Sequence, residues 1–565
     1  MKTIKNTCIL INHHEDVKLF SKKLLDSSDL YYKNYYVKLK LKDFNFKINE
    51  LKAKNFLNKK NIFFYNFKSN WFKDENNNDY TFFEKKFSIG NVSRRYITRD
   101  FVTFYKNYHL YLQLKKNYDK IFISSKESDF FKKFVNTSKN KFVYYKSKNS
   151  YDGCFEANTE TIFNHNLIKV KNYFFIFRIL QKFFKSLLLN KSLIFNDPSL
   201  KIFFKKKNYL VLNLINIFKS FYFLKPKLIK KNLPNNLKHM IKKKLIKLDL
   251  PNDFVNIFSD HVYKKLKKHL NLFSSYYLMI NEMINFYRPK SITVPSLVTF
   301  ESVLIQYACV SQNVEVILAT DGSNINIFND ISFDKKFLKK NKINVLAYAL
   351  EEQKYFKNFM DDENIKLHPL PLHLNFKKNF NKRYDLVVLD YYWSFNLYSI
   401  NHKRDYSYKV LNDILTIVQR SNKKNIAIKF KKTTSESYFE YQEFIKKNIS
   451  KSFAKLNIDF LDDDFYDTLN YSNIFIGDIM TSLVETVYAK KKYIIYSPSV
   501  VGYDDSFVNK HSIYVKSKKI TRSLSQLEQE LNSKKKIRLK KKLNNNLANY
   551  FNLNNFFDIN NKVIK

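Results

Sequence analysis

Length and composition set the first limits on this protein. The chain has 565 residues, more than the ~100–200 residues of one ordinary domain, so two or three domains are expected. Hydrophobic residues make up 45% of it, which is enough for buried cores and excludes a wholly disordered protein. The formal net charge of +49 favours a nucleic acid or an anionic membrane as a partner. However, only ten of the 100 basic residues are Arg, and the enrichment in Lys, Phe and Tyr is typical of AT-rich genomes, so no specific nucleic acid is expected.

The cysteines and the apolar runs favour a cytoplasmic location. Cys8, Cys154 and Cys309 are far apart and form no CxxC pair, so neither a disulfide framework nor a zinc cluster is predicted. The first apolar run, Cys8–Ile11, is too short for a signal peptide. No stretch of ~18 uncharged apolar residues occurs, so no transmembrane helix is predicted.

The start of the chain alternates short apolar runs with longer amphipathic ones, which is typical of βαβ units. Strands are predicted at 8–12 and 118–125, and helices at 16–25 and 100–116. A first α/β layer is therefore expected over residues 1–150.

Residues 165–245 differ from this pattern because they are dense in Phe, Leu, Ile and Lys and contain no Gly. Within them, residues 176–188 place apolar side chains at helical spacing, with Arg178, Lys182 and Lys185 on the other side. Such a basic amphipathic helix either lies on an anionic bilayer or packs on its own domain with its lysines in water. Both interpretations stay open, and the segment is predicted to be a helical insertion.

Two further blocks again alternate strands and helices. The first block has predicted strands at 291–294, 314–319, 344–349 and 365–368 and helices at 279–287, 300–310 and 351–360. The second block has predicted strands at 385–390, 425–429, 473–476 and 493–496 and helices at 408–420, 438–448 and 482–489. A polar, basic linker over 371–384 separates them.

These blocks predict an α/β protein with two Rossmann-like domains that face a cleft. The N-terminal domain is predicted over 1–375, with the helical insertion at about 165–245. The C-terminal domain is predicted over 382–530, followed by a Lys- and Asn-rich tail at 531–565.

Glycine is so scarce, with five residues in the chain, that the retained ones are informative. Gly322 and Gly477 each follow a predicted strand, and ligands of open α/β sheets bind at the carboxyl ends of strands. After Gly477 a helix is predicted near Ser482, so backbone N–H groups and the hydroxyls of Thr481 and Ser482 are candidates for holding a phosphate. Glu485, one turn further, is a candidate for a ribose hydroxyl.

A second interpretation of this segment remains open. Ser482 and Glu485 also have the spacing of a capping box, in which both side chains only satisfy backbone donors. The chain has neither a GxxxxGK[ST] nor a GxGxxG motif, so a P-loop nucleotidase or a dinucleotide enzyme is not predicted.

The segment YSNIFIGDIMTSLVETVYAKKKYIIYSPS resembles the C-terminal donor-site signature of GT-B glycosyltransferases. Within that superfamily it is most similar to bacterial capsule and CDP-glycerol glycerophosphotransferase-like enzymes. VEVILATDG and NIAIKFKK resemble two further strands of these enzymes, with Thr320-Asp321 in place of Gln-His and Lys431 in place of a histidine. Lys490–Lys492 replaces the usual Gly-Lys-Pro turn.

This resemblance implies a nucleotide-activated sugar or alditol donor bound mainly by the C-terminal domain, with no obligatory metal and no cofactor. Without a metal, lysines, hydroxyls and helix N-termini must neutralise the leaving nucleotide. The residues expected to bind the donor are Lys429, Lys431, Gly477, Asp478, Thr481, Ser482 and Glu485.

Candidates for the other half of the chemistry lie in the N-terminal domain. An inverting transfer needs a base for the acceptor hydroxyl, and Asp321 is the first candidate, although Asp is also common in a turn before Gly. Glu301 is a second candidate, or else a first-turn helix charge. His13 and His14 follow the first strand and are expected either to contact the acceptor or to lie in a plain loop, and no spaced third ligand supports a metal site.

The predicted function is therefore a metal-independent GT-B glycosyltransferase of bacterial surface polysaccharide synthesis. Its acceptor would be a glycan or a lipid-linked glycan, and its place the cytoplasm or the anionic inner face of the cell membrane. Three alternatives stay open: a nucleic-acid-binding or RNA-modifying protein, a degenerate GT-B scaffold that binds without catalysis, and a sugar-nucleotide epimerase of the same fold.

Overall fold

The strands that the structure describes form three parallel sheets and one small hairpin. The structure is a computed structural model that describes residues 6–32, 35–41, 48–51, 71–76, 78–84, 86–147, 190–195, 209–212, 233, 236–248, 250–294, 300–319, 335–347, 350–367, 383–391, 403–431, 436–478, 481–489, 491–498 and 520–533.

The first sheet has the strand order β3-β2-β1-β6-β7, and all its pairs are parallel. Its strands are β1 (Thr7–Ile11), β2 (Asp29–Tyr32), β3 (Ile48–Glu50), β6 (Lys120–Ser124) and β7 (Phe142–Tyr145), and the antiparallel hairpin is β4 (Phe82–Phe83) and β5 (Phe87–Ser88). The helices are α1 (Lys22–Ser27), α2 (Tyr35–Leu41), α3 (Ile89–Asn117) and α4 (Asp129–Val135), with 3-10 turns at His14–Leu19 and Lys139–Lys141. The order reverses between β1 and β6, which is the switch point where ligands bind in sheets of this kind.

The second sheet has the order β13-β12-β11-β10-β8-β9 and is also parallel throughout. Its strands are β8 (Ser192–Phe195), β9 (Tyr209–Leu212), β10 (Ser291–Val294), β11 (Glu315–Ala319), β12 (Asn344–Ala347) and β13 (Ile365–Leu367). The helices are α5 (Leu237–Ile246), α6 (Asn252–Tyr287), α7 (Phe300–Ser311), α8 (Lys335–Lys340) and α9 (Leu350–Lys357), with a 3-10 turn at Asp362–Asn364.

The predicted helical insertion over 165–245 is only partly helical. Its described part contains α5, but also the strands β8 and β9, which form one side of the second sheet. The sequences SLIF and YLVL are short continuous apolar runs, the pattern of parallel strands with both faces covered. In a region so rich in Phe, Leu and Lys, that pattern is hard to tell from a buried helix. The amphipathic segment 176–188 lies outside the described residues.

The first two sheets share one hydrophobic core. A single cluster of buried side chains extends from Leu10 on β1 to Val294 on β10. Helices α3 and α6 pack against each other within it, and Phe104 and Phe258 meet there with ring centroids 5.2 Å apart. The sequence predicted only the last turns of the 36-residue helix α6.

The third sheet has the order β16-β15-β14-β17-β18-β19, again all parallel. Its strands are β14 (Leu386–Leu389), β15 (Asn425–Lys429), β16 (Asn457–Leu461), β17 (Ile474–Gly477), β18 (Lys492–Tyr496) and β19 (Ile520–Thr521). Its helices are α10 (Lys403–Gln419), α11 (Glu436–Ser452), α12 (Phe465–Thr468), α13 (Thr481–Tyr488) and α14 (Leu524–Asn532). Counted along this part of the chain the order is 3-2-1-4-5-6, the Rossmann order, and the sheet has a core of its own.

The α/β class and the Rossmann-like sheets predicted from the sequence are confirmed. Before residue 370 the described residues form two parallel sheets that share one large hydrophobic cluster, where one Rossmann-like unit was expected, and a smaller cluster belongs to the first sheet alone. The domain boundaries stay a prediction, and the linker core at 372–382 and the tail beyond 533 lie outside the described residues. Among the helices that the structure describes, none combines the length and the apolar character needed to span a membrane.

Candidate functional site

The switch point of the third sheet lies between β14 and β17, because the strand order reverses there. Asp390 follows β14, and β17 ends at Gly477, followed by Asp478. Helix α13 then begins at Thr481, so its N-terminus belongs to the same edge of the sheet. Lys429 ends β15, which pairs with β14 on its other side. The elements that carry the predicted donor residues therefore meet at one edge of the sheet, beside the reversal of strand order.

Gly477 is required by packing at this edge. A Cβ atom there would lie 3.0 Å from Cζ of Tyr493 and 3.1 Å from Cδ1 of Leu389, and it would collide with the Tyr493 hydroxyl. That hydroxyl donates a 2.7 Å hydrogen bond to the carbonyl oxygen of Asp478, whose own side chain is buried. The phenol of Tyr493 thus occupies the space that a side chain at position 477 would need. Its hydrogen bond to Asp478 holds the backbone directly after β17.

Ser482 is inside α13 and does not cap it. The helix begins one residue earlier, and the buried Ser482 Oγ makes no hydrogen bond of acceptable geometry with the described residues. The capping box with Glu485 is therefore not formed. Ser482 Oγ lies beside the Tyr493 hydroxyl, where burial raises the pKa of the phenol and the serine lowers it. A buried hydroxyl at the first turn of a helix is placed to bind an anion at that terminus.

Glu485 is protonated at neutral pH. Burial, together with the smaller effect of the neighbouring Asp464 carboxylate, raises the pKa of its carboxyl to about 8. A protonated carboxyl donates a hydrogen bond and carries no charge, so Glu485 does not repel an anion bound at the N-terminus of α13.

Lys429 is the buried cation of this edge, with 6% of its surface exposed. Its Nζ donates to the carbonyl oxygen of Phe430. Burial lowers the pKa of Lys429, while the carboxylates at 462–464 and Asp390 raise it. Lys431 lies two residues beyond and is exposed, and its backbone N–H donates a 2.8 Å hydrogen bond to the Tyr438 hydroxyl.

Besides Asp478 and Glu485, which were predicted, this edge has acidic side chains that were not predicted as site residues. The buried carboxylate of Asp390 accepts hydrogen bonds from the hydroxyls of Tyr438 at 2.6 Å, Ser407 at 3.1 Å and Tyr441. Residues 462–464 are three consecutive aspartates directly after β16. An Asp that ends an apolar strand is a visible sequence signal. Its hydroxyl partners, which come from α10 and α11, are not.

The two predicted catalytic carboxylates are not among the residues that the structure describes at this edge of the third sheet. Asp321 and Gly322 lie outside the described residues. Glu301 is partly exposed in the first turn of α7, next to the second sheet, a position that fits its alternative interpretation as a helix charge.

His13 has a structural role at the end of β1. Its Nδ1 accepts a 3.1 Å hydrogen bond from the backbone N–H of Glu15, and its own backbone N–H donates to Asp16 Oδ2 at 3.1 Å. The rings of His13 and His14 stack with centroids 4.4 Å apart. Within the described ranges, no three His, Cys, Asp or Glu side chains are grouped so as to hold a metal ion.

A polar cluster that the sequence did not predict occupies the switch point of the first sheet. The Asn12 amide after β1 donates to Glu127 Oε2 after β6 at 3.1 Å. Asp16 accepts from the Ser147 hydroxyl at 2.6 Å and from the Tyr145 hydroxyl at 3.1 Å. These side chains are all buried. The Asp16 carboxylate is held by its hydroxyl donors, whereas Asn12 Oδ1 is buried without a partner among the described residues.

Comparison with known proteins adds little to this geometry. No family model matches the chain, and a search of curated proteins finds no match. Among solved structures, the chain is similar to UDP-GlcNAc 2-epimerase from Neisseria meningitidis bound to UDP-GlcNAc, at 8% identity and a TM-score of 0.33 over 60% of this chain and 90% of that one.

Two further structures are similar to the same degree. For the Methanocaldococcus jannaschii UDP-GlcNAc 2-epimerase in complex with UDP-GlcNAc and UDP, the identity is 10% and the TM-score 0.36, over 61% of this chain and 94% of that one. For a glycosyltransferase from Rickettsia africae, the values are 11% and 0.30, over 66% and 99%. Similarity this low carries no argument about activity, and the site rests on the residues of this chain.

Proposed function

We propose that this protein is a GT-B-type glycosyltransferase that moves a sugar or sugar-like unit from a nucleotide-activated donor, with the nucleotide at the switch point of the third sheet. The observation that carries the proposal is the meeting of Gly477, the N-terminus of α13 and Lys429 at one edge of a sheet in Rossmann order. Ligands of such sheets bind where the strand order reverses.

The donor phosphates are assigned to the N-terminus of α13. Free backbone N–H groups and the helix dipole favour an anion there, and the buried Ser482 Oγ has no hydrogen bond with the described residues to give up. Lys429 donates one hydrogen bond within the described structure, to Phe430. An ammonium group has three donors, so two remain for phosphate oxygens.

We assign the acidic side chains at this edge of the sheet to the ribose of the nucleotide. Glu485 is neutral below about pH 8, and the Asp390 carboxylate is held by three hydroxyl donors. The three carboxylates at 462–464 follow β16, two strands away from β14. Carboxylate oxygens there accept hydrogen bonds from ribose hydroxyls, while the phosphates lie at α13.

In the transfer step, an acceptor hydroxyl oxygen bonds to the anomeric carbon, and the bond from that carbon to the donor phosphate oxygen breaks. In the inverting form of the reaction the hydroxyl proton goes to a carboxylate, for which Asp321 is proposed first and Glu301 second. Lys429 and α13 stabilise the charge on the leaving phosphate, and no metal or cofactor is assigned to the step.

The proposed acceptor is a glycan or lipid-linked glycan of a bacterial surface polysaccharide, with His13 and His14 near it. The proposed location is the cytoplasm, with the positive net charge favouring attachment to the anionic inner face of the membrane.

A thermal-shift panel with CMP, CDP, UDP, GDP and ADP and a short RNA, each at low and high salt, tests the proposal. A ligand of the native state raises the melting temperature by mass action. We expect one nucleoside diphosphate or monophosphate to stabilise the protein at both salts. Stabilisation by RNA alone, lost at high salt, would contradict it and favour a nucleic-acid-binding protein.

A further inference from the structure

A cavity of about 280 Å³ lies between the loop at 71–80 and the last turns of α5, far along the chain from the predicted nucleotide site. Four lysines line it against two carboxylates: Lys73, Lys243, Lys244, Lys247, Asp74 and Glu75. Tyr80 and Met240 add less polar surface. The formal charge of the lining is therefore +2, and the cavity is nearly as large as small-molecule pockets, which start at about 300 Å³.

One wall of this lysine pocket is a tight turn. The backbone N–H of Asp74 donates to the carbonyl oxygen of Asn78 at 2.8 Å, and Asp74 accepts from the backbone N–H and side-chain amide of Asn78 at 2.8 and 3.1 Å. These bonds lower the pKa of Asp74. The loop is anchored by Trp71 and Phe72, both buried in the shared core. The Asp74 carboxylate is therefore engaged by Asn78 in the turn.

The opposite wall is the basic face of α5. The half-buried Lys244 donates a single hydrogen bond, 3.1 Å to the carbonyl oxygen of Lys73. Burial lowers the pKa of Lys244, against a smaller opposing effect of Asp74. Lys247 pairs with Glu75, and Lys243 is exposed with no partner among the described residues. Two ammonium groups, on Lys243 and Lys244, thus keep donors available at the cavity.

We propose that this lysine pocket binds a small phosphate-bearing anion. A phosphate has several strong acceptor oxygens, and charge-assisted hydrogen bonds from Lys243 and Lys244 would satisfy them. The bound anion would also offset the desolvation of Lys244. Tyr80 and Met240 offer a surface for a small organic substituent. The pocket is separate from the proposed nucleotide site and goes beyond the proposed function.

The test is isothermal titration calorimetry of the full chain with inorganic phosphate and with glucose 1-phosphate, at fixed ionic strength in chloride. All proteins carry Lys429→Ala, so that phosphate binding at the nucleotide site is weakened. Lys243→Glu is the main variant, since this exposed side chain has no partner among the described residues whose loss would destabilise the fold. Lys242→Glu is the matched control, because Lys242 is its exposed neighbour on α5 and does not line the cavity.

We expect saturable binding of one phosphate in the parent and in Lys242→Glu, weakened about tenfold or more in Lys243→Glu. Tighter binding of glucose 1-phosphate than of phosphate would identify an organic phosphate as the ligand. Equal weakening by both substitutions would overturn the proposal, because it would show non-specific attraction to a highly basic protein. Failure to bind either anion would also overturn it, and would leave the nucleotide site untouched.

Discussion

The first and third sheets place polar side chains at the same position of the same kind of fold, yet the two positions differ in what they leave available. At the first switch point, the Asn12 amide donates to Glu127 and Asp16 accepts hydrogen bonds from Tyr145 and Ser147, although the buried Asn12 Oδ1 has no partner among the described residues. At the third, Ser482 Oγ and the Lys429 ammonium keep donors beyond those used by described residues. The topology selects a position for a ligand. Whether a ligand binds there depends on how far the protein has already satisfied its own polar groups.

The largest expected effect concerns the uncharged carboxyl of the third sheet. The folded pKa of Glu485 is about 8, above its ordinary value of 4.5. Between these values the folded state holds a proton that the unfolded state has lost, so stability falls as pH rises from about 4.5 to about 8. At pH 8 the cost is at most about 4 kcal/mol. Urea unfolding at pH 5 and pH 8 should show this slope in the parent, and Glu485→Gln should lack it.

Glu440→Gln serves as the control, since Glu440 is exposed on α11 and has no partner among the described residues. If the stability of Glu485→Gln fell with pH as steeply as that of the parent, the Glu485 carboxyl would be ionised in the folded protein. The candidate site of the third sheet would then carry its negative charge.

The second prediction concerns Asp16, the carboxylate held by hydroxyl donors at the switch point of the first sheet. Asp16→Ala leaves the Tyr145 and Ser147 hydroxyls and a backbone N–H without their acceptor, which should lower the free energy of unfolding by about 3 kcal/mol. Nucleotide affinity should stay the same. Asp129→Ala, which removes an exposed carboxylate 3.8 Å from Lys132, should change stability little. If Asp16→Ala lost nucleotide binding but kept normal stability, the nucleotide would be assigned to the switch point of the first sheet and not to that of the third.

The third prediction concerns the buried cation of the third sheet. Lys429→Ala should raise the dissociation constant of the stabilising nucleotide about 10–100-fold, because hydrogen bonds to charged groups contribute about 1.5–3 kcal/mol. Calorimetric titration measures it. Lys447→Ala removes the same charge from an exposed position of α11 and should bind as the parent does. Equal affinities of the Lys429 variant and the parent would remove Lys429 from the site.

The smallest expected effect belongs to the hydroxyl in α13. Ser482→Ala should weaken nucleotide binding about fivefold, since one hydrogen bond contributes about 1 kcal/mol. Stability should not fall, because Ser482 Oγ has no hydrogen bond with the described residues to lose. A drop in stability without a change in affinity would assign the hydroxyl to packing.

Sequence patterns predicted the elements around the third site well and its chemistry less well. The apolar runs ending at Ile476 and Lys429, and the amphipathic run after Thr481, correspond to β17, β15 and α13. These patterns are local. The raised pKa of Glu485 and the three hydroxyl donors to Asp390 depend on residues far along the chain, which no local pattern reveals.

At two other positions, local spacing in the sequence also did not reveal the geometry that the structure has. The capping box at Ser482 has the right spacing, but the helix begins one residue too early to use it. His13 was predicted either to contact the acceptor or to lie in a plain loop, and the contact stays a prediction; the local turn that its ring caps is a geometry that spacing alone does not reveal.

The shared core of the first two sheets has a consequence for how the protein melts. Because α3 and α6 lie within one cluster that reaches both sheets, the second sheet cannot unfold without exposing side chains that also cover one face of the first. Cooperative units follow contiguous buried contacts, not sheet count. Three sheets should therefore give two unfolding transitions in a calorimeter: one for the paired sheets and one for the third, whose core is its own.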